Sequence, residues 1–170
     1  MTIPVKLILT RILLIPIFLV LFWCDLRTPA IITFAVAALT DLPDGIIARK
    51  YNLSTHFVKL MDPLADKLLI SAALIALVGT GQIAAWLAIL IIGRDLLITG
   101  FRLFAATQGF SLGAVITGKI NTALQMILIL VVLAGFNFPI LVWVVVGLTL
   151  VSTAENFIRN WNVIRTIKLK

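Results

Sequence analysis

The feature that most constrains this chain is a succession of helix-length apolar runs: Lys6–Cys24, Pro29–Thr40 with a polar continuation to Ala48, Pro63–Val78, Ile83–Phe104, Ile116–Ala134 and Pro139–Phe157. A helix needs about 20 mostly apolar residues to cross the hydrocarbon of a bilayer. The runs are continuous rather than alternating, which excludes a β-barrel. With 62% hydrophobic residues, 12% charged residues and a mean hydropathy of +1.18, the composition lies far from that of a soluble domain. The expected fold is all-α: an integral membrane bundle of six transmembrane helices, in one domain spanning residues 1–170.

The first apolar run has the length of a span and is followed by no small-residue cleavage site, so it is expected to remain in the mature protein. Cys24 is the single cysteine, which excludes an intramolecular disulfide. The net charge of +7 does not point to nucleic acid, because the basic residues are dispersed and no soluble module gathers them on one face. They report topology instead. With six spans, Lys6, Arg11, Arg49, Lys50, Lys59, Arg102, Lys119, Arg159, Arg165, Lys168 and Lys170 fall on one side, and Arg27 alone on the other. The positive-inside rule then places both termini in the cytoplasm. Trp23 and Trp86 fit the outer interface and Trp161 the inner one, with Trp143 less decisive.

Against this background, the segment Thr40–Leu69 is anomalous. It holds Asp41, Asp44, Asp62 and Asp66, four of the seven acidic residues in the chain. On a helix turning about 100° per residue, Asp41, Asp44, Gly45 and Ala48 share a narrow arc, with two carboxylates beside two small side chains. That face can take a bulky anion close to the backbone. Asp62 is expected to open the next helix, with Pro63 at its first position and Asp66 one turn later on the same face. For Asp62 alone a capping role would suffice. Acids within membrane helices are costly and usually functional, however, and the cluster as a whole calls for more.

Four converging carboxylates repel one another in a partly dry cleft unless protons or cations join them. All-oxygen sites suit hard ions such as Mg²⁺ or Mn²⁺, whereas His56 and one cysteine make a poor zinc site. Two such ions would offset the charge and leave positions for phosphate oxygens.

These residues also carry a resemblance. D-L-P-D-G-I-I-A-R at Asp41–Arg49, followed by Asp62 and Asp66, is similar to the CDP-alcohol phosphotransferase signature D-x2-D-G-x2-A-R-x8-G-x3-D-x3-D, with Val58 at the glycine position. The likeness extends along the chain, most closely to bacterial members that form phosphatidylglycerophosphate. Its further segments are Thr2–Pro16, Asp62–Leu69, Gly93–Arg102 and Gly118–Met126. Departures are Thr2 for asparagine, Ile8 for threonine, Asp95 for glutamate and Asn121 for lysine.

The resemblance implies a homodimeric transferase with a cytoplasmic cleft. An alcohol attacks the lipid-bearing phosphate of CDP-diacylglycerol and CMP leaves. Asp41 and Asp62 would bridge two metals, Asp44 would complete the first site, and Asp66 would complete the second and act as general base. Gly45, Arg49 and Thr55 would contact the CDP part, with Ala48 permitting close approach. If glycerol 3-phosphate is the acceptor, Arg94, Arg102 and Lys119 are the cations available for its phosphate; pairing of Arg94 or Arg102 with Asp95 is the simpler alternative. Inositol phosphate, serine or a second phospholipid are the other acceptors. A small cation transporter would also place acids in membrane helices, but it does not require Gly45, Ala48 and Arg49 at those spacings.

Overall fold

The computed structural model describes residues 3–40, 56–108, 116–136 and 138–161. Among these, all the regular structure is helical: α1 (Ile3–Trp23), α2 (Arg27–Leu39), α3 (His56–Gly79), α4 (Ala85–Thr107), α5 (Ile116–Leu133) and α6 (Pro139–Arg159). Val5–Trp23, Ile116–Leu133 and Pro139–Arg159 are long and apolar enough to cross a membrane. α3 and α4 are as long, with 24 and 23 residues, but carry more charged side chains.

Tight turns reverse the chain after α1, α3 and α5. Each has a residue in the left-handed region: Asp25 at φ 55°, Gly81 at φ 72° and Gly135 at φ 85°. Glycine adopts this conformation without a Cβ clash, and aspartate is among the few other residues that tolerate it. α1 packs on α2 and α3, α3 also on α4, and α5 on α6.

Helix α3 departs from the expectation. It begins at His56, so residues 62 and 63 lie within it rather than at its start. The segment from Phe57 to Met61 is apolar at helical spacing apart from Lys59, which extends the helix by nearly two turns. Proline at position 63 forfeits one backbone bond, to the carbonyl four residues earlier. Membrane helices tolerate that loss, as α1 does at Pro16. The polar continuation of α2 beyond Thr40 lies outside the described residues.

The apolar core fills the half of the bundle nearest the tight turns. Phe18, Phe34, Leu74, Leu77, Ile91 and Ile129 are fully buried there. The ring of Phe18 lies 5.6 Å from Phe34 and 6.0 Å from Phe22, centroid to centroid. Trp143 stands 6.2 Å from Trp86, so the two mark the same end. Leu13, Val20, Ile89, Ile140 and Leu150 point outward on every side. An apolar exterior of this extent has lipid as its solvent, and the chain is a membrane protein.

Candidate active site

The inward stripes of the helices change character at one level. On α4 the buried positions run Leu87, Ala88 and Ile91, then Arg94, Asp95 and Thr99. On α5 they run Asn121 and Gln125, then Leu128, Ile129 and Leu133. On α6, Val145 and Val146 give way to Thr149, Ser152 and Asn156. Because neighbouring helices alternate in direction, the polar segments meet at the end away from the tight turns. Asp66 and Lys67 in the N-terminal half of α3 join them there.

α1 contributes Arg11, wholly buried on the same face as Ile8 and Phe18. Its Nη1 donates to Asp66 Oδ1. The Asp66 side chain keeps 17% of its surface exposed, so the carboxylate is held by a wholly buried cation without being fully buried itself. Ile8 and Ala65, packed with Val5 and Met61, form a small separate apolar cluster beside the pair. That packing limits water around the ion pair and strengthens it.

Three further cations, Arg94, Arg102 and Lys67, are engaged within the bundle. Arg94 Nη1 donates to Asp95 Oδ1 at 2.8 Å and Nη2 to Ser152 Oγ. Arg102 Nη2 donates to Asn156 Oδ1 at 3.2 Å. Lys67 Nζ donates to Asp95 Oδ2 at 2.8 Å. Thr117 Oγ1 donates to Glu155 Oε2 at 2.6 Å, and Thr149 Oγ1 to Asn121 Oδ1 at 3.0 Å, tying α5 to α6. Lys119, on α5, is exposed.

Of the residues expected to form the site, Asp66, Arg94, Arg102 and Lys119 therefore lie in or beside one polar layer. Asp41, Asp44, Gly45, Ala48, Arg49, Thr55 and the side chain of Asp62 lie outside the described residues. Asp62 shares α3 with Asp66, one turn earlier. Among the described residues no group of three metal-binding side chains converges. The donor chemistry present is oxygen, with Cys24 exposed beyond the opposite end of α1; this suits a hard divalent ion.

Arg11 and Lys67 are two participants that the sequence does not mark as site residues: Arg11 reads as a topological charge within the Thr2–Pro16 likeness, and Lys67 as part of Asp62–Leu69. The available signal was the same for both: an ionised side chain inside an apolar run needs a partner.

A helical bundle that is hydrocarbon outside, with the buried ion pairs of the described residues gathered at one end and an exposed Arg27–Asp25 pair at the other, is that of a membrane-embedded protein. The chain belongs to the CDP-alcohol phosphatidyltransferase family, whose model matches residues 1–152. It is 40% identical to the Bacillus subtilis (strain 168) protein named CDP-diacylglycerol--glycerol-3-phosphate 3-phosphatidyltransferase, across 96% of this chain and 97% of that one. A protein of the same name from Rickettsia typhi is 32% identical, across 91% of this chain and 94% of its own. An Arabidopsis thaliana relative, named CDP-diacylglycerol--glycerol-3-phosphate 3-phosphatidyltransferase 2, is 37% identical across 79% of this chain and 65% of its own.

Proposed function

We propose that this enzyme transfers the phosphatidyl group of CDP-diacylglycerol to glycerol 3-phosphate and releases CMP. The observation that carries the choice of acceptor is end-to-end similarity to relatives bearing that name, 40% identical over 96% of the chain in the Bacillus subtilis case. The acceptor hydroxyl oxygen forms a bond to the lipid-bearing phosphorus as the bond from that phosphorus to the CMP oxygen breaks. Asp66 takes the hydroxyl proton, with Arg11 orienting its carboxylate.

Asp41, Asp44, Asp62 and Asp66 are the residues that would hold two divalent ions, Mg²⁺ or Mn²⁺, which when bound offset the charge of the pyrophosphate. Gly45, Ala48, Arg49 and Thr55 receive the CDP part. Arg94 is bonded to Asp95 and Ser152, so contact with the acceptor phosphate falls mainly to Arg102 and Lys119. Six helices cross the membrane in this reading, with both termini and the cleft on the cytoplasmic side of a bacterial cytoplasmic membrane. The distribution of lysine and arginine supports that orientation. The functional unit is a homodimer of single-domain chains, residues 1–170.

The test is CMP release by purified protein given CDP-diacylglycerol, Mg²⁺ or Mn²⁺ and one alcohol at a time. Glycerol 3-phosphate is expected to support release, and serine and inositol phosphate are not. CMP release with one of the latter instead would overturn the acceptor assignment. Cross-linking in membranes tests the dimer, and accessibility of cysteines introduced at the termini tests the orientation.

A further inference from the structure

α3 presents Asp66 and Lys67 in succession, and the two side chains leave the helix about 100° apart. Asp66 goes to Arg11 on α1, and Lys67 goes to α4 and α5. Lys67 Nζ lies 2.8 Å from Asp95 Oδ2 and 3.3 Å from Thr122 Oγ1. The Thr122 hydroxyl donates its own proton to the Gly118 carbonyl at 3.1 Å, which turns an oxygen lone pair toward the ammonium. The other oxygen of Asp95 accepts from Arg94, which in turn donates to Ser152. One buried carboxylate with a cation on each oxygen thus joins α3, α4, α5 and α6.

We propose that Lys67 is a positioning residue for the transfer: its ion pair with Asp95 sets the rotation of α3 about its axis, and so the aim of the Asp66 carboxylate. The inference rests on the reading of Asp66 as metal ligand and base. In lipid, an apolar helix face gains little from one neighbour over another, because lipid tails are as apolar as leucine. The polar side chains of α3 have no such freedom, so their bonds decide how the helix is turned. Turning α3 by about 10° moves a carboxylate roughly 6 Å from the axis by about 1 Å, a displacement that can cost a reaction about 10²-fold.

The pairing is asymmetric, which makes the proposal specific. Removing Lys67 leaves Arg94 and Asp95 as a balanced pair. Removing the charge of Asp95 instead leaves two cations facing each other in a buried site. Asp95→Asn is therefore expected to be the more damaging change, and adding Lys67→Met to it should relieve part of the loss.

The experiment uses full-length protein in detergent and measures kcat, KM for glycerol 3-phosphate, Mn²⁺ binding by electron paramagnetic resonance, and thermal unfolding. Lys67→Met is expected to lower kcat about tenfold or more and to weaken Mn²⁺ binding, with KM for glycerol 3-phosphate unchanged. Lys67→Arg should retain most activity. The double variant Lys67→Met with Asp95→Asn should fall between Asp95→Asn and Lys67→Met, because it removes the clash of two cations but leaves Arg94 without its carboxylate. Wild-type kcat and Mn²⁺ binding in Lys67→Met would overturn the proposal, as would losses that multiply in the double variant. A raised KM at unchanged kcat would overturn it too, by making Lys67 an acceptor contact. If Lys67→Met does not fold, Thr122→Val removes one acceptor from the ammonium; a severalfold drop in kcat at unchanged melting supports the proposal, and unchanged kcat overturns it. Failure of the underlying reading looks different: wild-type protein would bind no Mn²⁺, or Asp66→Asn would remain active.

Discussion

The two ends of this bundle are built on different physics. Near the tight turns, Phe18, Phe34, Leu74, Leu77 and Ile129 interlock without a polar atom between them. At the other end, Arg11, Lys67, Arg94, Asp66, Asp95 and Ser152 are joined by directional bonds across four helices. In water the first arrangement would be driven by the hydrophobic effect, but in lipid that drive is nearly absent and close packing does the holding. The polar end gains from bonds that lipid cannot replace, and each broken bond there leaves a charge in a dry place. One end fixes shape, and the other fixes the aim of a few reactive groups at some cost in stability.

The largest expected effect separates chemistry from support. Asp66→Asn keeps the size of the side chain and removes the carboxylate proposed as base, so CMP release should fall by roughly 10²- to 10⁴-fold while the protein still folds. Arg11→Met should affect both properties. Deleting one member of a buried pair costs about 3 kcal/mol, at the lower end of the usual range because Asp66 is partly open to water, and turnover should fall as the carboxylate loses its orientation. Melting in detergent and CMP release measure the two effects. A variant with full stability and full activity would mean that the ion pair neither holds the bundle nor aims the base.

At the apolar end the comparison predicts the reverse pattern. Leu74→Ala, in a fully buried position, should lower stability by about 2 kcal/mol. That is the low end for such a change, because in lipid the packing loss counts and the transfer term largely does not. Activity per folded molecule should be unchanged. If CMP release falls with stability intact, the two ends are coupled mechanically and the contrast between them is too sharp.

Much of this division could be read from the chain itself. On α4, α5 and α6 one inward stripe passes from leucine, isoleucine and valine to arginine, asparagine, threonine and serine, and alternation of helix direction brings the polar segments to one end. The cluster that includes Asp66 stood out because acids are rare in such runs. The partners did not. Arg11 and Asp66 are 55 positions apart, as are Lys67 and Thr122, and which side chains meet depends on how each helix is turned about its axis. No single helix specifies that rotation. The topology rule also accounts for a basic residue near a helix end, so Arg11 does not by itself demand a partner. The start of α3 differs from the expected one for a local reason: Asp-Pro is a strong opening signal for a helix, but the apolar residues before it already continue the helical pattern.

The smallest expected effect probes the cost of the polar end. Gln125 is wholly buried on α5, and neither its amide nitrogen nor its amide oxygen has a hydrogen-bond partner among the described residues. Asn121, one turn earlier, spends its oxygen on Thr149, and its nitrogen has no hydrogen-bond partner among the described residues. A buried amide without partners costs about 1–3 kcal/mol, and an apolar side chain of similar shape does not incur that cost. Gln125→Leu should therefore raise stability by about 1 kcal/mol, read as a higher melting temperature in detergent. The Asn121–Thr149 bond supplies the control: Thr149→Val removes the donor to a buried acceptor and should lower stability by about 1 kcal/mol. If Gln125→Leu lowers stability as well, the amide is held by a bound water or ligand in the polar layer, and that end of the bundle is wetter than its protein contacts alone indicate.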